Sequence, residues 1–390
     1  MASRWDGWYA LARSVPVLEV AASVGARLKK ITAVEYAGPC PACGGTDRFS
    51  CNTHKNVFQC RGSRGGSGID MLVHVTGCTI IEAAERLTGE PRPDHTRDET
   101  PQEREARLKR NAERIAQAQE REEEQRKEDE AKAKRNVATI ADILKRAVPV
   151  EGTQGEAYLK ETRKLEPPSR LLLDCKFVKD LDYWGYADND SGNEIIQLAT
   201  LPALIWLIRN FAGAVIGSSE TYLDPQSPVK WTPTASPRNS SKKIRGTKLG
   251  GMIRMGPVGR TLAIPEGPEN GLAWWQRGEG PEDVTLAAAV DLGNLAGRST
   301  GQVNHPWLAD RDGRPARISN GIPDMDHPGV VLPDGVEAVI ILADGDSEPA
   351  ATTMKVLCAA NRFEVQGRQV SIVWPRMGTD FNEMLQDDGR

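Results

Sequence analysis

Ala338-Val339-Ile340-Ile341-Leu342-Ala343-Asp344-Gly345-Asp346 is a short apolar run that ends in two carboxylates separated by a glycine. Its length and β-branched residues read as a buried strand, and Gly345 lets the chain turn sharply after it. Two similar stretches flank it. Upstream, Leu262-Ala263-Ile264-Pro265 runs into Glu266-Gly267, and Leu272 to Gln276 reads as a helix. Downstream, Val370-Ser371-Ile372-Val373-Trp374-Pro375 precedes Gly378-Thr379-Asp380 and the helical Phe381-Asn382-Glu383-Met384-Leu385. Short strands alternating with helices from residue 261 to 390 predict a parallel α/β sheet.

In an open parallel sheet, the carboxyl ends of neighbouring strands face one crevice. Glu266, Asp344, Asp346 and Asp380 all stand at such ends. Gathered carboxylates repel one another unless a cation neutralises them, and oxygen donors beside phosphate suit Mg2+ or Mn2+. Each acidic cluster alone is as well explained by a turn. The order of the three within one α/β segment makes the set a candidate phosphoryl-transfer site.

Working outward, residues 224–259 are rich in Pro, Ser, Lys and Gly and carry Lys230, Arg238, Lys242, Lys243, Arg245, Lys248 and Arg254. Cationic loops of this kind suit triphosphates and nucleic-acid backbones; a solvated surface loop is the plain alternative. Ala203-Leu204-Ile205-Trp206-Leu207-Ile208 reads as a buried strand, and Ala214-Val215-Ile216 as a returning one. Residues 97–135 are a charge run of Glu, Arg, Lys, Gln and Ala with Pro101 as the only proline. That is helix composition, with acid and base often three or four apart. Leu108 and Ile115 are its only large apolar residues, so it reads as a solvated helical linker spanning on the order of 50 Å rather than as a coiled coil. Ile80-Ile81-Glu82-Ala83-Ala84-Glu85-Arg86-Leu87 is an amphipathic helix stopped by Gly89 and Pro91.

The chain has 390 residues, a formal net charge of −4 and seven cysteines. Nucleic-acid contact would therefore rest on local patches. Four cysteines, Cys40, Cys43, Cys51 and Cys60, fall in one short stretch, which points to metal in a reducing compartment rather than to disulfides. Cys40-Pro-Ala-Cys43 followed by Gly44-Gly45 is a knuckle suited to tetrahedral zinc, and Cys60 would open a second knuckle. The expected fourth ligand near position 63 is replaced by Ser63. His54 or Cys51 from the intervening hairpin, a water, or loss of the metal remain open, with His54 ahead of Cys51. Cys51 alternates with Phe49 and also reads as a core residue. The first residues lack a secretory pattern, no stretch reaches ~18 apolar residues, and no Gly-x-x-x-x-Gly-Lys-Ser/Thr sequence is present. A cytoplasmic, membrane-free protein without its own ATP-driven motor is expected.

Two resemblances complete the reading. Cys40-Pro-Ala-Cys43, Asp47-Arg48-Phe49-Ser50, Phe58-Gln59-Cys60 and Gly66-Ser67-Gly68-Ile69-Asp70 resemble the zinc ribbon of bacterial and phage primases of the DnaG type. The family's knuckle often has His where Cys43 stands and Cys where Ser63 stands. The ordered acids resemble the Toprim domain, in which Glu266 matches the family glutamate, Asp344 and Asp346 the Asp-x-Asp pair, and Asp380 the later acidic position. Asp291-Leu-Gly-Asn-Leu-Ala-Gly297 and Gly378-Thr-Asp-Phe-Asn-Glu-Met-Leu are similar to phage and prophage versions. Asn270 stands where such primases often have aspartate, with Glu269 beside it. The resemblance implies four segments: a template-binding ribbon at 1–90, a helical linker at 91–136, the first part of a primase core with its basic loop at 137–259, and a Toprim catalytic domain at 260–390. It implies structural Zn2+, catalytic Mg2+ or Mn2+ held by Glu266, Asp344 and Asp346, and RNA primer synthesis on single-stranded DNA from nucleoside triphosphates. Lys230, Lys242, Lys243, Arg245 and Lys248 would contact nucleotide or template. Arg48, Lys55, Arg61 and Arg64 would contact phosphate at the ribbon, and a separate helicase would be a partner. A Toprim nuclease and a non-catalytic single-stranded-DNA binder are the rival readings.

Overall fold

The computed structural model describes residues 4–31, 34–61, 65–93, 100–187, 194–309 and 315–388. It divides into two compact units, Met1–Glu130 with Leu308–Pro315, and Ala131–Trp307 with Ala316–Arg390. No helix among the described residues is long and apolar enough to cross a membrane.

The first unit is a five-stranded antiparallel sheet in sequential order: β1 (Lys29–Lys30), β2 (Glu35–Cys40), β3 (Gly44–Asn52), β4 (Val57–Cys60) and β5 (Gly65–Gly66). Helices α1 (Arg4–Ser14), α2 (Val17–Ser23), α3 (Gly68–Thr76) and α4 (Ile80–Thr88) accompany it. Phe49, Cys51, Phe58 and Cys60 alternate inward from β3 and β4 and pack with Trp8, Val20, Met71 and Leu72, as the period of two demands. Cys51 is thus a core residue, paired in register with Phe58. α4 begins where expected: the Thr79 amide donates to Glu82 Oε2 at 2.8 Å, and Gly89 closes the helix at φ +69°.

α5 (Pro101–Leu144) is one helix of 44 residues, about 66 Å long. Leu108 and Ile115 are exposed along it, in keeping with a solvated helix. Its final turns run past residue 136, and Ile140 and Ile143 are buried against Leu181, Tyr183, Ala203, Ile205, Leu207 and Tyr222 in the second unit.

The second unit is built on one nine-stranded sheet. β6 (Cys175–Tyr186), β7 (Ile195–Arg209), β8 (Val215–Tyr222) and β9 (Lys242–Gly246) are antiparallel. A short α6 (Gln154–Ala157) and a π-helical turn (Tyr158–Thr162) precede them. β10 (Met252–Met255) pairs with the end of β7 and joins this half to four parallel strands. In sheet order after β10 these are β12 (Thr285–Ala288), β11 (Thr261–Pro265), β15 (Ala338–Leu342) and β16 (Gln369–Val373), with β13 (Gln302–Ala309) and β14 (Pro315–Ser319) forming a separate hairpin. Helices α7 (Pro268–Gln276), α8 (Leu292–Ala296), α9 (Pro349–Val365) and α10 (Phe381–Asp388) connect or follow them. The parallel order β12-β11-β15-β16 aligns the carboxyl ends of β11 and β15, because Pro265 pairs with Leu342. Glu266, one residue beyond β11, and Asp344, two residues beyond β15, therefore open onto the same cleft.

Candidate functional site

In the first unit, Cys40, Cys43, Cys60 and His74 bring one donor atom each to within 4.8 Å of one another. β2 ends in Cys40, and the left-handed Gly44 and Gly45 (φ +65° and +83°) turn the chain straight back into β3. The Cys43 amide donates to Cys40 Sγ at 3.3 Å, which fixes the knuckle. His74 comes from α3, with Nε2 3.2 Å from Cys40 Sγ and 3.5 Å from Cys43 Sγ. Tetrahedral zinc with ordinary bond lengths would separate such N and S donors by about 3.6 Å. Burial and the adjacent Cys40 and Cys60 thiols push the Cys43 thiol up to about 12. Three thiolates cannot share this space without a cation, so the donor set fits Zn2+.

The fourth donor of this candidate set is His74, neither His54 nor Cys51 among the alternatives the sequence left open. His54 Nε2 lies 3.1 Å from Glu128 Oε2. The hairpin carries it away from the cysteines, whereas α3 returns His74 over Phe58, ring centroids 6.0 Å apart. Ser63 and Arg64 lie outside the described residues. Arg48 leans over the knuckle, 3.5 Å from the Cys43 carbonyl, and Arg61 is exposed 3.4 Å from Asp47.

In the second unit, Glu266, Glu269, Asn270, Asp344 and Asp380 line one cleft of about 270 Å³ together with Arg163, Lys230 and Lys242. Burial, then Asp346, Glu266 and Asp380, raise the Asp344 carboxyl to about 7. Burial and the charges of Asp291 and Asp346 raise Glu266 as well. Asp344 Oδ1 is buried with no hydrogen-bond partner among the described residues, and so is Asn270 Oδ1. Asp380 is partly committed to its own helix, since its Oδ1 accepts the Glu383 amide at 2.6 Å. Among the described residues only the Cys3His set draws three or more donors within 4.8 Å, so the acids share a field at looser spacing.

Two backbone features hold this acidic rim. A Cβ on Gly345 would sit 2.6 Å from the Thr379 carbonyl oxygen and 2.9 Å from Pro375, so only glycine lets the two acid-bearing loops approach. The Gly378 amide bonds the Gly345 carbonyl at 2.9 Å across that contact. Val290, which lines the cleft, is held at φ +78°, a conformation strained for a β-branched residue.

The cations are organised by Glu269. Buried in the first turn of α7, its carboxylate meets Arg163 at 2.9 Å, Lys242 at 3.6 Å and Lys230 at 3.8 Å, and accepts the Tyr158 hydroxyl at 2.9 Å. Burial opposes its charge, but Lys242, Arg163 and Lys230 outweigh burial and bring it to about 2. Glu269 is therefore a counter-ion to the cations.

Of the other basic residues singled out, Lys248 is ion-paired with Asp291, beside the acids. Lys243 and Arg245 point to the opposite face of β9. Arg245 forms an ion pair there, with Nε 2.7 Å from the buried Glu220. Sequence reasoning missed Arg163, Tyr158 and His74. The π-helical turn at Tyr158–Thr162 places both Tyr158 and Arg163 on Glu269. Such turns often mark functional sites, but no residue pattern announced this one.

Comparison with known proteins adds the following. Residues 35–69 match the zinc-binding domain of primase-helicase. Residues 134–255 match a family described as a domain of unknown function, DUF7146. No curated protein matches the chain. Among solved structures, the zinc-binding and RNA polymerase domains of Aquifex aeolicus primase align over 100% of this chain and 83% of that one, at 14% identity and a TM-score of 0.35. A DnaG primase catalytic domain bound to single-stranded DNA aligns over 67% and 79%, at 15% identity and a TM-score of 0.39. A DNA primase domain from Pseudomonas aeruginosa aligns over 64% and 73%, at 11% identity and a TM-score of 0.37. The first unit thus carries a zinc ribbon of primase-helicase type with a candidate Cys3His site.

Proposed function

We propose that this chain is a DNA primase of the DnaG type, making short RNA primers on single-stranded DNA by metal-dependent nucleotidyl transfer. The observation that carries this reading is the cleft in which Glu266, Asp344 and Asp380 face Arg163, Lys230 and Lys242 at the carboxyl ends of parallel strands. The order of the acids along the chain resembles that of a Toprim site, which supports the reading. The primase-type ribbon at residues 35–69 supports a template-binding role for the first unit.

The acidic rim fits Mg2+ or Mn2+, because the buried, unpartnered Asp344 Oδ1 and its raised carboxyl call for a cation. When bound, that cation offsets the charge developing on the transferring phosphoryl group. Asp344, Asp346 and Glu266 would hold it. Arg163, Lys230 and Lys242 would bind the triphosphate oxygens, and Lys248 would assist from the Asp291 side. Glu266 would assist at the metal site or take the proton of the attacking 3′-hydroxyl. Positioning of two nucleotides dominates initiation. A separate helicase would be a partner, with the cytoplasm as the compartment.

The test is primer synthesis on single-stranded DNA with labelled nucleotides and Mg2+, comparing wild type with Asp344→Ala. Short oligonucleotides from wild type and none from the variant are expected. Nicking of plasmid DNA in the absence of nucleotides would replace this reading with a Toprim nuclease. DNA binding with no product across varied templates, Mn2+ included, would replace it with a non-catalytic binder.

A further inference from the structure

The sheet of the second unit has a second built surface, on the face opposite the acids. In β7, Leu204, Trp206 and Ile208 face the core beneath the cleft, while Ala203, Ile205 and Leu207 face the other way. The register Ile205–Glu220–Lys243 carries that second face through β8 to β9, whereas Lys242 pairs with Thr221 and belongs to the cleft side. On this far face lies a groove of about 350 Å³, lined by Lys132, Asn136, Trp184, Tyr222, Lys243 and Arg245.

Its chemistry is specific. Glu220, the acid beneath the groove, is neutralised by Arg245 and accepts the Tyr222 hydroxyl at 3.0 Å. Lys132 and Lys243 have no ion-pair partner among the described residues, so they leave the groove cationic. Lys243 Nζ is held 4.8 Å over the Tyr183 ring, which orders the charge without cancelling it. Trp184 is 52% exposed. The β6–β7 register shifts between Tyr183 and Trp184, and this irregularity brings Trp184 to the groove although Tyr183 is buried on the same side. Bulges commonly re-aim one side chain in this way. Just beyond, Arg238 stacks 3.7 Å over the Tyr186 ring.

We infer that this groove binds a segment of single-stranded nucleic acid, with Trp184 stacking on a base and Lys132 and Lys243 contacting the phosphates. Exposed aromatics among lysines are the general means of holding single strands without sequence preference. The inference goes beyond the proposed polymerisation, since binding on this face needs neither nucleotide nor the acids.

The experiment is fluorescence anisotropy of a labelled mixed-sequence oligodeoxynucleotide with the full chain, in the absence of nucleotides, across a salt series. Trp184→Ala should weaken binding about 10-fold, and Trp184→Phe should restore most of the loss. Lys132→Ala combined with Lys243→Ala should lower the salt slope by about 1.4, the value for two phosphate contacts on a single strand. Primer synthesis is assayed in parallel on the Trp184 and lysine variants, so loss of polymerisation and loss of this site are separately visible. A photo-crosslinking oligonucleotide should attach within the peptide that carries Trp184. Wild-type affinity and slope in the Trp184 and lysine variants would overturn the inference, as would crosslinks confined to other segments. Equal loss in the Phe and Ala variants would overturn the stacking role.

Discussion

Arg163 Nη2 lies 2.9 Å from Glu269 Oε2, and that carboxylate is buried while also facing Lys230 and Lys242. A buried acid thus gathers three cations that come from separate segments of the chain. Removing the buried acid leaves its cations unpaired, but they are 21%, 34% and 46% exposed and partly screened by water, so the cost is about 1–3 kcal/mol. Glu269→Ala should lower stability by that amount in urea unfolding and splay the cations, so that any triphosphate affinity falls with it.

The pH dependence follows from the same group. Glu269 is brought from 4.5 to about 2 in the folded protein. A depressed acid stabilises the fold above its unfolded value and loses that contribution as pH falls through the folded one. Stability should therefore drop between pH 4.5 and 2. In Glu269→Gln the drop over that window should be shallower, as followed by circular dichroism.

Asp344 has the opposite sign. Its carboxyl is raised to about 7 by burial and by Asp346, Glu266 and Asp380. The folded protein binds this proton more tightly than the unfolded chain, so the metal-free protein should lose stability as pH rises towards and through 7. Asp344→Asn should remove that loss and raise the metal-free stability at pH 8 by about 1–2 kcal/mol, measured by thermal unfolding. Mg2+ should stabilise wild type more than this variant.

Zinc content separates the two histidines. Metal analysis should find one zinc per chain in wild type and in His54→Ala, but substoichiometric zinc in His74→Ala and Cys60→Ser. Loss of zinc in His54→Ala with retention in His74→Ala would contradict the donor set described above.

Gly345→Ala introduces a methyl group 2.6 Å from the Thr379 carbonyl. The two acid-bearing loops must then part, so primer synthesis should fall at least about 10-fold, with only about 1–3 kcal/mol of lost stability. Comparing product yield with the unfolding midpoint checks this.

Much of this molecule is legible in the residues alone. Apolar runs ending in Glu266 and Asp344 predict parallel strands, and the structure supplies them as β11 and β15. The charge run predicts a solvated helix, and α5 is one. The Cys-x-x-Cys spacing predicts a knuckle, and Cys40, Cys43 and Cys60 do meet. These features are local, because period, composition and turn chemistry act over a few residues.

What the residues could not decide is which distant groups share a space. His54 is nearer the cysteines in sequence, yet His74 is nearer in space, because α3 packs back across the sheet. Lys242 and Lys243 are neighbours with similar side chains, but strand alternation sends one to the acidic cleft and the other to the opposite groove. Arg163 joins Glu269 across more than 100 positions through a π-helical turn with no signature of its own. Local order is a property of neighbouring residues. The charge balance of a buried site depends on long-range packing, and only the tertiary structure determines it.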